Sequence, residues 1–347
     1  QFGFVSIITA SVLMVIMALI TIGFSRIMAR EQRQALDRQL STQAYYAAET
    51  AVNDVRAVLE NNPSDPRVTA EKTTCDVSAW NNGAVISSDS AVPSFDLGAA
   101  SDLVEYTCLL IDPTPNVLEF NNGSITTTES RIFNIEPRTG AIGDITFTWT
   151  GESDTADQFM ATCPTTSAGF DFPNSWPTND VPILRVDLIN TGTGAVSRTF
   201  LENNTAQYYV YPCGNGSGSA TFSGANQGQI IPASCTASTT NPYQCSVTIN
   251  LSSPSSKLVA RVRSLYSNAN MQVTSSLSGG GVTEFVGAQT VVDATGKAND
   301  VLRRVKVHLS NTGKYALPEY VFQARDGLCK RIVIEGAETV TGINDCN

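Results

Sequence analysis

A single histidine, His308, serves all 347 residues, and that scarcity removes much acid–base and metal chemistry from consideration. One imidazole supplies zinc poorly, and none of the eight cysteines stands in a C-x-x-C pair. No G-x-S-x-G elbow, Walker loop or H-E-x-x-H helix occurs. Charge is sparse as well: 16% of residues are Asp, Glu, Lys or Arg, against roughly 25% in an average soluble domain. The net charge of -10 argues against a body built mainly to grip nucleic acid or an anionic membrane. What chemistry remains is thin. Glu152, Asp154 and Asp157 could gather around calcium, but lack the glycine and terminal Glu of an EF-hand. Tyr208, Tyr209 and Tyr211 could stack on sugars, although aromatics in a strand are usually packing. His308 alternates with Val307 and Leu309 and is expected on a solvated strand face beside Arg304 and Lys306. The expectation is a protein that is not an enzyme, with no cofactor and no metal.

What the chain has in abundance is a leading apolar run. Residues Phe2 to Phe24 carry no charge, and the first ionisable side chain is Arg26. At about 1.5 Å per residue such a helix could span the roughly 30 Å hydrocarbon core of a bilayer. Residues 26–62 continue without Gly or Pro until Asn61, Asn62 and Pro63 supply a stop. One helix over residues 1–62 is therefore predicted. Its first half, with Phe2, Phe4, Val5, Ile8, Leu13, Ile16, Leu19, Ile22 and Phe24, is apolar all round. Its second half carries one apolar stripe, Leu36, Leu40, Ala44, Ala47, Ala51, Val55 and Val58, at spacings of three and four that suit packing on a body.

The eight cysteines are even in number and follow an apolar anchor, which reads as disulfides in an oxidising compartment. Cys235 with Cys245 and Cys329 with Cys346 each close a short loop; Cys75 with Cys108 and Cys163 with Cys213 follow by elimination. Arg26, Arg30 and Arg33, directly after the apolar run, pull the other way, since basic residues favour the cytoplasmic side. The chain begins at Gln1 rather than Met, and a removed basic leader would resolve the conflict; an arbitrary boundary would carry no meaning.

Phe and Gly beside a processed N-terminus, an uncharged run grading into an amphipathic half, and a disulfide-bearing β-rich remainder together resemble a type IV pilin or pseudopilin. The segment AYYAAETAVNDV, Ala44 to Val55, is similar to the small-residue and Glu pattern of larger minor-pilin members. The resemblance covers residues 1 to about 60 and implies cleavage by a prepilin peptidase, residence in the membrane before assembly, and bundling of the helices with other copies of the same chain into a helical filament. It implies a pilus assembly machinery as partner and a cell-surface filament, or fimbrium, serving adhesion or twitching motility. One departure stands out. Family members usually carry Glu at the fifth mature position, where this chain has Val5, or Ile8 if cleavage falls between Gly3 and Phe4. That absence is tolerated in some minor, tip-type members. The alternatives are such a low-copy subunit at a pilus or secretion-system tip, and a plain membrane anchor carrying a surface binding module or enzyme.

Beyond Pro63 the pattern is β. Ile145, Phe147 and Trp149 alternate with Thr146, Thr148 and Thr150; similar alternation marks 184–188, 246–251, 258–263 and 304–309. The fold class is therefore α+β: a long N-terminal helix, then a mostly antiparallel body, with room for two sandwich-like units. Prolines at 173, 177 and 182 place a boundary between a first β-rich region, 63–178, and a second, 179–347, holding the C-terminal disulfide. The stretch 213–242, rich in Gly, Ser, Thr and Asn, and the run Gly279, Gly280 and Gly281, which interrupts the sheet pattern, are expected to be mobile. LRVDLINTG (184–192) and RVKVHLSNTG (304–313) hint at a duplication, though Asn and Gly after a strand are ordinary turn chemistry.

Charge is unevenly placed: residues 60–250 hold six basic and twenty acidic side chains, residues 257–331 eleven basic and five acidic. An acidic middle on one copy could meet a basic C-terminal third on the next. Alternatively Arg261, Arg263, Arg303, Arg304 and Lys306 form a patch for DNA or an anionic host-cell surface, or are simply solvated strand positions.

Overall fold

The structure, a computed structural model, describes residues 2–80, 104–152, 159, 163, 180–192, 197–224, 226–236 and 242–311. Helix α1 (Phe2–Asn61) runs 60 residues without interruption, a rod of roughly 90 Å. It passes straight through Gly23. At its end the Asn61 side chain donates to the Ala57 carbonyl (2.9 Å), and Pro63 prevents continuation. A short helix, α2 (Pro66–Thr69), follows, with the Asp65 carboxylate accepting from the Arg67 N–H (2.9 Å) and Pro66 in its first turn.

Three sheets complete the α+β fold. The first has strands β1 (Val104–Asp112), β13 (Gln289–Ala298) and β14 (Val301–Ser310), in the order β1-β13-β14 and antiparallel throughout. Between β1 and β13 the chain inserts the strands of the other two sheets. One inserted sheet holds β2 (Leu118–Ile125), β4 (Ile142–Gly151), β7 (Ser219–Phe222), β10 (Cys245–Ser255) and β12 (Ala269–Leu277), ordered β2-β12-β4-β10-β7, with β9 (Ser234–Cys235) beside β10. The other holds β3 (Arg131–Ile135), β5 (Ile183–Asn190), β6 (Thr205–Tyr211), β8 (Asn226–Pro232) and β11 (Leu258–Leu265), ordered β3-β11-β5-β6-β8. A seven-residue helix, α3 (Arg198–Asn204), joins β5 to β6. Pairing is antiparallel except for β7 with β10 and β6 with β8.

Alternation explains the sandwich. Ile145, Phe147 and Trp149 of β4 turn inward with Val247 and Ile249 of β10, and meet Leu184, Val186 and Leu188 of β5 and Ala260 and Val262 of β11 in one continuous core. The opposite face of β4 stays hydroxylated, and Thr146 bonds Thr248 across the pair (2.8 Å). Trp149 donates its indole N–H to the Pro182 carbonyl (2.9 Å), so the largest buried ring leaves no unpaired donor.

A separate core lies under the helix. Ala48, Ala51, Val52 and Val55 of α1 bury against Tyr106, Leu109 and Ile111 of β1, Val292 and Ala294 of β13 and Leu309 of β14.

Several expectations change here. The division at 178/179 does not follow the sheets: β3 pairs with β11, and β4 with β10 and β12. Of the prolines that suggested a boundary, Pro182 directly precedes β5 of the sandwich, and Pro173 and Pro177 lie outside the described residues. The stretch 213–242, expected to be mobile, contributes β7, β8 and β9; short edge strands tolerate the Gly and Ser that prompted the expectation. Gly280 and Gly281, by contrast, form a turn at positive φ. The two NTG-terminated segments fall in unlike places, β5 inside the sandwich and β14 in the helix-bearing sheet, so the fold gives duplication no support.

Candidate assembly surface

The candidate surface is the free half of α1. Every residue from 11 to 39 is exposed, over about 43 Å of helix. Leu13, Ile16, Leu19, Ile22 and Phe24 are between 47 and 65% exposed, and Val12, Met14, Val15, Met17, Ile20, Ile27 and Met28 join them. Phe2, Phe4, Val5 and Ile8 lie on the same continuous helix. Fully burying one such side chain is worth about 1.5–3 kcal/mol. Twelve together represent on the order of 20 kcal/mol or more, beyond the roughly 5–15 kcal/mol that holds a typical domain folded. Water is thus not a resting place for this segment. The helix is long and apolar enough to cross a membrane, and none of its apolar window is buried within the protein.

From Leu40 onward the helix has a seat, and its fit depends on small residues. Ala44, Ala47, Ala48 and Ala51 are fully buried, and the first three lie over Gly296 of β13. A Cβ at Gly296 would lie 2.0 Å from the Ala44 carbonyl oxygen, 2.5 Å from the Ala48 nitrogen and 2.9 Å from the Ala47 Cβ. The strand therefore approaches the helix backbone as closely as atoms allow. Of the expected packing stripe, Ala44, Ala47, Ala51 and Val55 are buried, and Leu40 and Val58 half-buried. Leu36 is not part of it: at 57% exposed it lies beyond the sheet. Ala48 and Val52 belong to the seat and were not in the stripe, because contact with a sheet spans a wider arc than one row of the helix. Arg303 on β14 donates to the Ser41 hydroxyl (2.7 Å), marking where the helix leaves the sheet.

Around the seat, Tyr106 of β1 is buried with its hydroxyl 2.7 Å from the Trp80 carbonyl and 3.1 Å from Asp54 Oδ2. Burial raises the Asp54 carboxyl above its usual range, partly offset by the Tyr106 hydroxyl. The guanidinium of Arg67 lies over the Trp80 ring. Cys75 and Cys108 form a disulfide that staples the segment after α2 to β1. Cys163–Cys213 and Cys235–Cys245 stitch the sandwich. Cys329 and Cys346 lie outside the described residues.

The other candidates scatter. Arg261 and Arg263 are on β11 of the sandwich, whereas Arg303, Arg304 and Lys306 are on β14, so the five do not make one patch. Arg263 donates to the Thr127 carbonyl, and Arg304 pairs with Asp293 on the neighbouring strand. The acidic middle and basic C-terminal third meet inside a single molecule, through Lys257–Glu136 (3.1 Å) and Lys297–Glu105 (3.8 Å), and Arg138–Glu284 (3.0 Å) joins the same two stretches with the signs reversed. Sheets that pair early with late strands fold the linear polarity onto itself, which leaves less of it for contacts between copies. Tyr208 and Tyr211 are buried on opposite faces of β6, with Tyr209 half-buried, so the three tyrosines do not form one stacking surface. Glu152 accepts from Asn268 (2.9 Å); Asp154 and Asp157 lie outside the described residues. His308 is not solvated: its ring is largely covered and its Nε2 sits 3.3 Å from Glu119 Oε2. Among the described residues no cluster of three His, Cys, Asp or Glu side chains is arranged to hold a metal.

The chain is therefore an α+β protein with a half-seated apolar helix, a helix-bearing sheet and an inserted β-sandwich. No protein-family model matches it, and neither does any curated protein or solved structure.

Proposed function

We propose that this chain is a structural subunit of an extracellular, type IV pilus-like filament, held in the cytoplasmic membrane by α1 before assembly and packed through α1 against sister copies afterwards. The observation that carries the reading is the continuity of α1: an apolar half, exposed on all sides from residue 11 onward, runs without a break into a half locked on a sheet. A plain anchor needs no stiff connection to its domain and is ordinarily joined by a flexible linker. A rigid rod suits transfer between lipid and a helix bundle, since apolar contacts replace lipid contacts at modest net cost. Processing by a prepilin peptidase, export by a pilus assembly machinery, and a role in adhesion or motility belong to the same proposal, with a host-cell surface or DNA as candidate targets of the displayed body. Electron microscopy of material sheared from cells that make the chain, with N-terminal sequencing of the main component, tests it. The reading expects fibres built from many copies; lone molecules held singly in the envelope contradict it.

A low-copy tip subunit is the second reading. It is favoured by the sandwich inserted between β1 and β13, which sets a large display module on a small helix-bearing sheet. Counting copies per fibre by quantitative mass spectrometry separates the two.

A further inference from the structure

The sandwich and the helix-bearing sheet meet at a junction built around one residue of β2. Glu119 is gripped twice through its backbone: its N–H donates to Gln289 Oε1 (3.0 Å), and its carbonyl accepts from Gln289 Nε2 (2.9 Å). Gln289 opens β13 and is buried. The Glu119 carboxylate then turns to His308 of β14, 3.3 Å away, and also accepts from Asn121 (3.3 Å). Three strands from two modules thus converge on one glutamate and the chain's single imidazole.

The ring takes a second proton less readily in this setting than in water. With Nε2 facing a carboxylate, the neutral tautomer carries its proton there and donates it. Nδ1 is buried and has no hydrogen-bond partner among the described residues. A second proton would create a cationic donor aimed at nothing, which burial makes costly. The other charged groups nearby divide in sign. Lys306 on the same strand opposes a charge on the ring, and Asp112 at the end of β1 favours one. Asp293 of β13 is engaged with Arg304. Tyr243, whose hydroxyl donates to Asn121 (3.0 Å), is pushed up to about 12 by burial and by the charge of Glu119, so it stays neutral. Burial outweighs Glu119, and the His308 pKa falls below its ordinary value.

We propose that the His308–Glu119 contact is a pH-operated latch: closed and stiff at neutral pH, it releases the sandwich from the helix-bearing sheet on acidification. The direction follows from linkage. A ring with a lowered pKa in the closed form, and an ordinary one once released, favours the closed form above the ordinary value. That advantage is lost as pH falls, by up to about tenfold per pH unit, until the closed ring's own pKa is reached. The latch does not depend on the filament reading, since the junction lies within one molecule. Its consequence for a surface-displayed body is a sandwich carried rigidly in neutral surroundings and loosely in acid.

The test uses the full chain in detergent micelles. Selective 15N labelling of histidine gives one imidazole, followed from pH 8 to pH 4.5. Spin labels at Arg56→Cys on α1 and Ser253→Cys on β10 report the distance between the modules at pH 7.5 and pH 5. The proposal expects a neutral Nε2–H tautomer, a midpoint below 6.5, and a distance distribution that is narrow at pH 7.5 and broad at pH 5. In H308Q, which keeps a neutral donor, the distribution is expected to stay narrow at both; in E119Q the midpoint is expected to fall further. A wild-type midpoint at or above 6.5, or a distribution indifferent to pH, overturns the proposal without recourse to either variant. Equal broadening in H308Q and wild type overturns it as well.

Discussion

Gly296→Ala is the sharpest test of how the helix is held. The added methyl carbon would sit 2.0 Å from the Ala44 carbonyl oxygen and 2.5 Å from the Ala48 nitrogen, against roughly 3.4 Å for ordinary contact. Both are helix backbone atoms, so no rotamer change relieves them and α1 must lift from β13 by about an ångström or more. Overpacking of a core commonly costs about 1–3 kcal/mol, and a backbone clash belongs at the top of that range. Replacing Gly by Ala also removes unfolded-state freedom, which returns about 0.4–1 kcal/mol. The net expectation is a loss of about 2 kcal/mol, or a Tm lower by roughly 4–8 °C at about 2–4 °C per kcal/mol for a domain of some 200 residues. Gly279→Ala is the control, because a Cβ there meets nothing within 4 Å. Thermal denaturation of the full chain in detergent, followed by near-ultraviolet circular dichroism, measures both. Ala47→Gly in the Gly296→Ala background should recover little, since it removes only the 2.9 Å contact. Equal stability of the Gly296→Ala and Gly279→Ala proteins would refute the close-approach argument.

Residues 113–288 expressed alone should fold as a β protein with two disulfides, because the sandwich core draws its strands from that range; an unfolded circular dichroism spectrum would contradict the insertion topology. Removing Cys75–Cys108 by paired alanines should cost about 4 kcal/mol, and Cys235–Cys245 about 3 kcal/mol, as the chain-entropy relation gives for loops of 33 and 10 residues; urea melts rank the two. Asp54 has a raised pKa in the folded protein, so the folded state holds more protons there than the unfolded. Its contribution is greatest below the ordinary value of 3.8 and is lost as pH rises through the folded pKa. Asp54→Asn, which keeps a polar partner for Tyr106, should therefore leave Tm at pH 7 unchanged or higher and flatten its pH dependence, whereas Tyr106→Phe should lose about 1 kcal/mol at any pH.

The sequence disclosed most where one residue period dominates. The uncharged run to Phe24 and the absence of Pro up to Pro63 made α1 legible almost to its last residue. Alternation of Ile145, Phe147 and Trp149 with threonines likewise exposed a half-polar strand. Which strands pair was not legible, since a period of two says which face is buried and nothing about the neighbour; hence β3 with β11, and the insertion between β1 and β13, stayed hidden. Strands β7 and β8 were missed because neither SATF nor NQGQIIP shows a clean alternation, Gly, Ser and Asn crowd around them, and only edge pairing holds them. Gly296 looked like any strand glycine until Ala44 and Ala48 were found against it. His308 was read as solvated because its covering group, Glu119, comes from a strand distant in sequence.

The account turns on what surrounds the exposed half of α1. A photo-crosslinking amino acid at Met14 or Ile16, activated in cells that make the chain, reports that neighbour directly. The account expects a ladder of adducts at multiples of the 37 kDa chain, running from the same residue of one copy to α1 of another. Adducts to lipid alone, at every stage of growth, would contradict it.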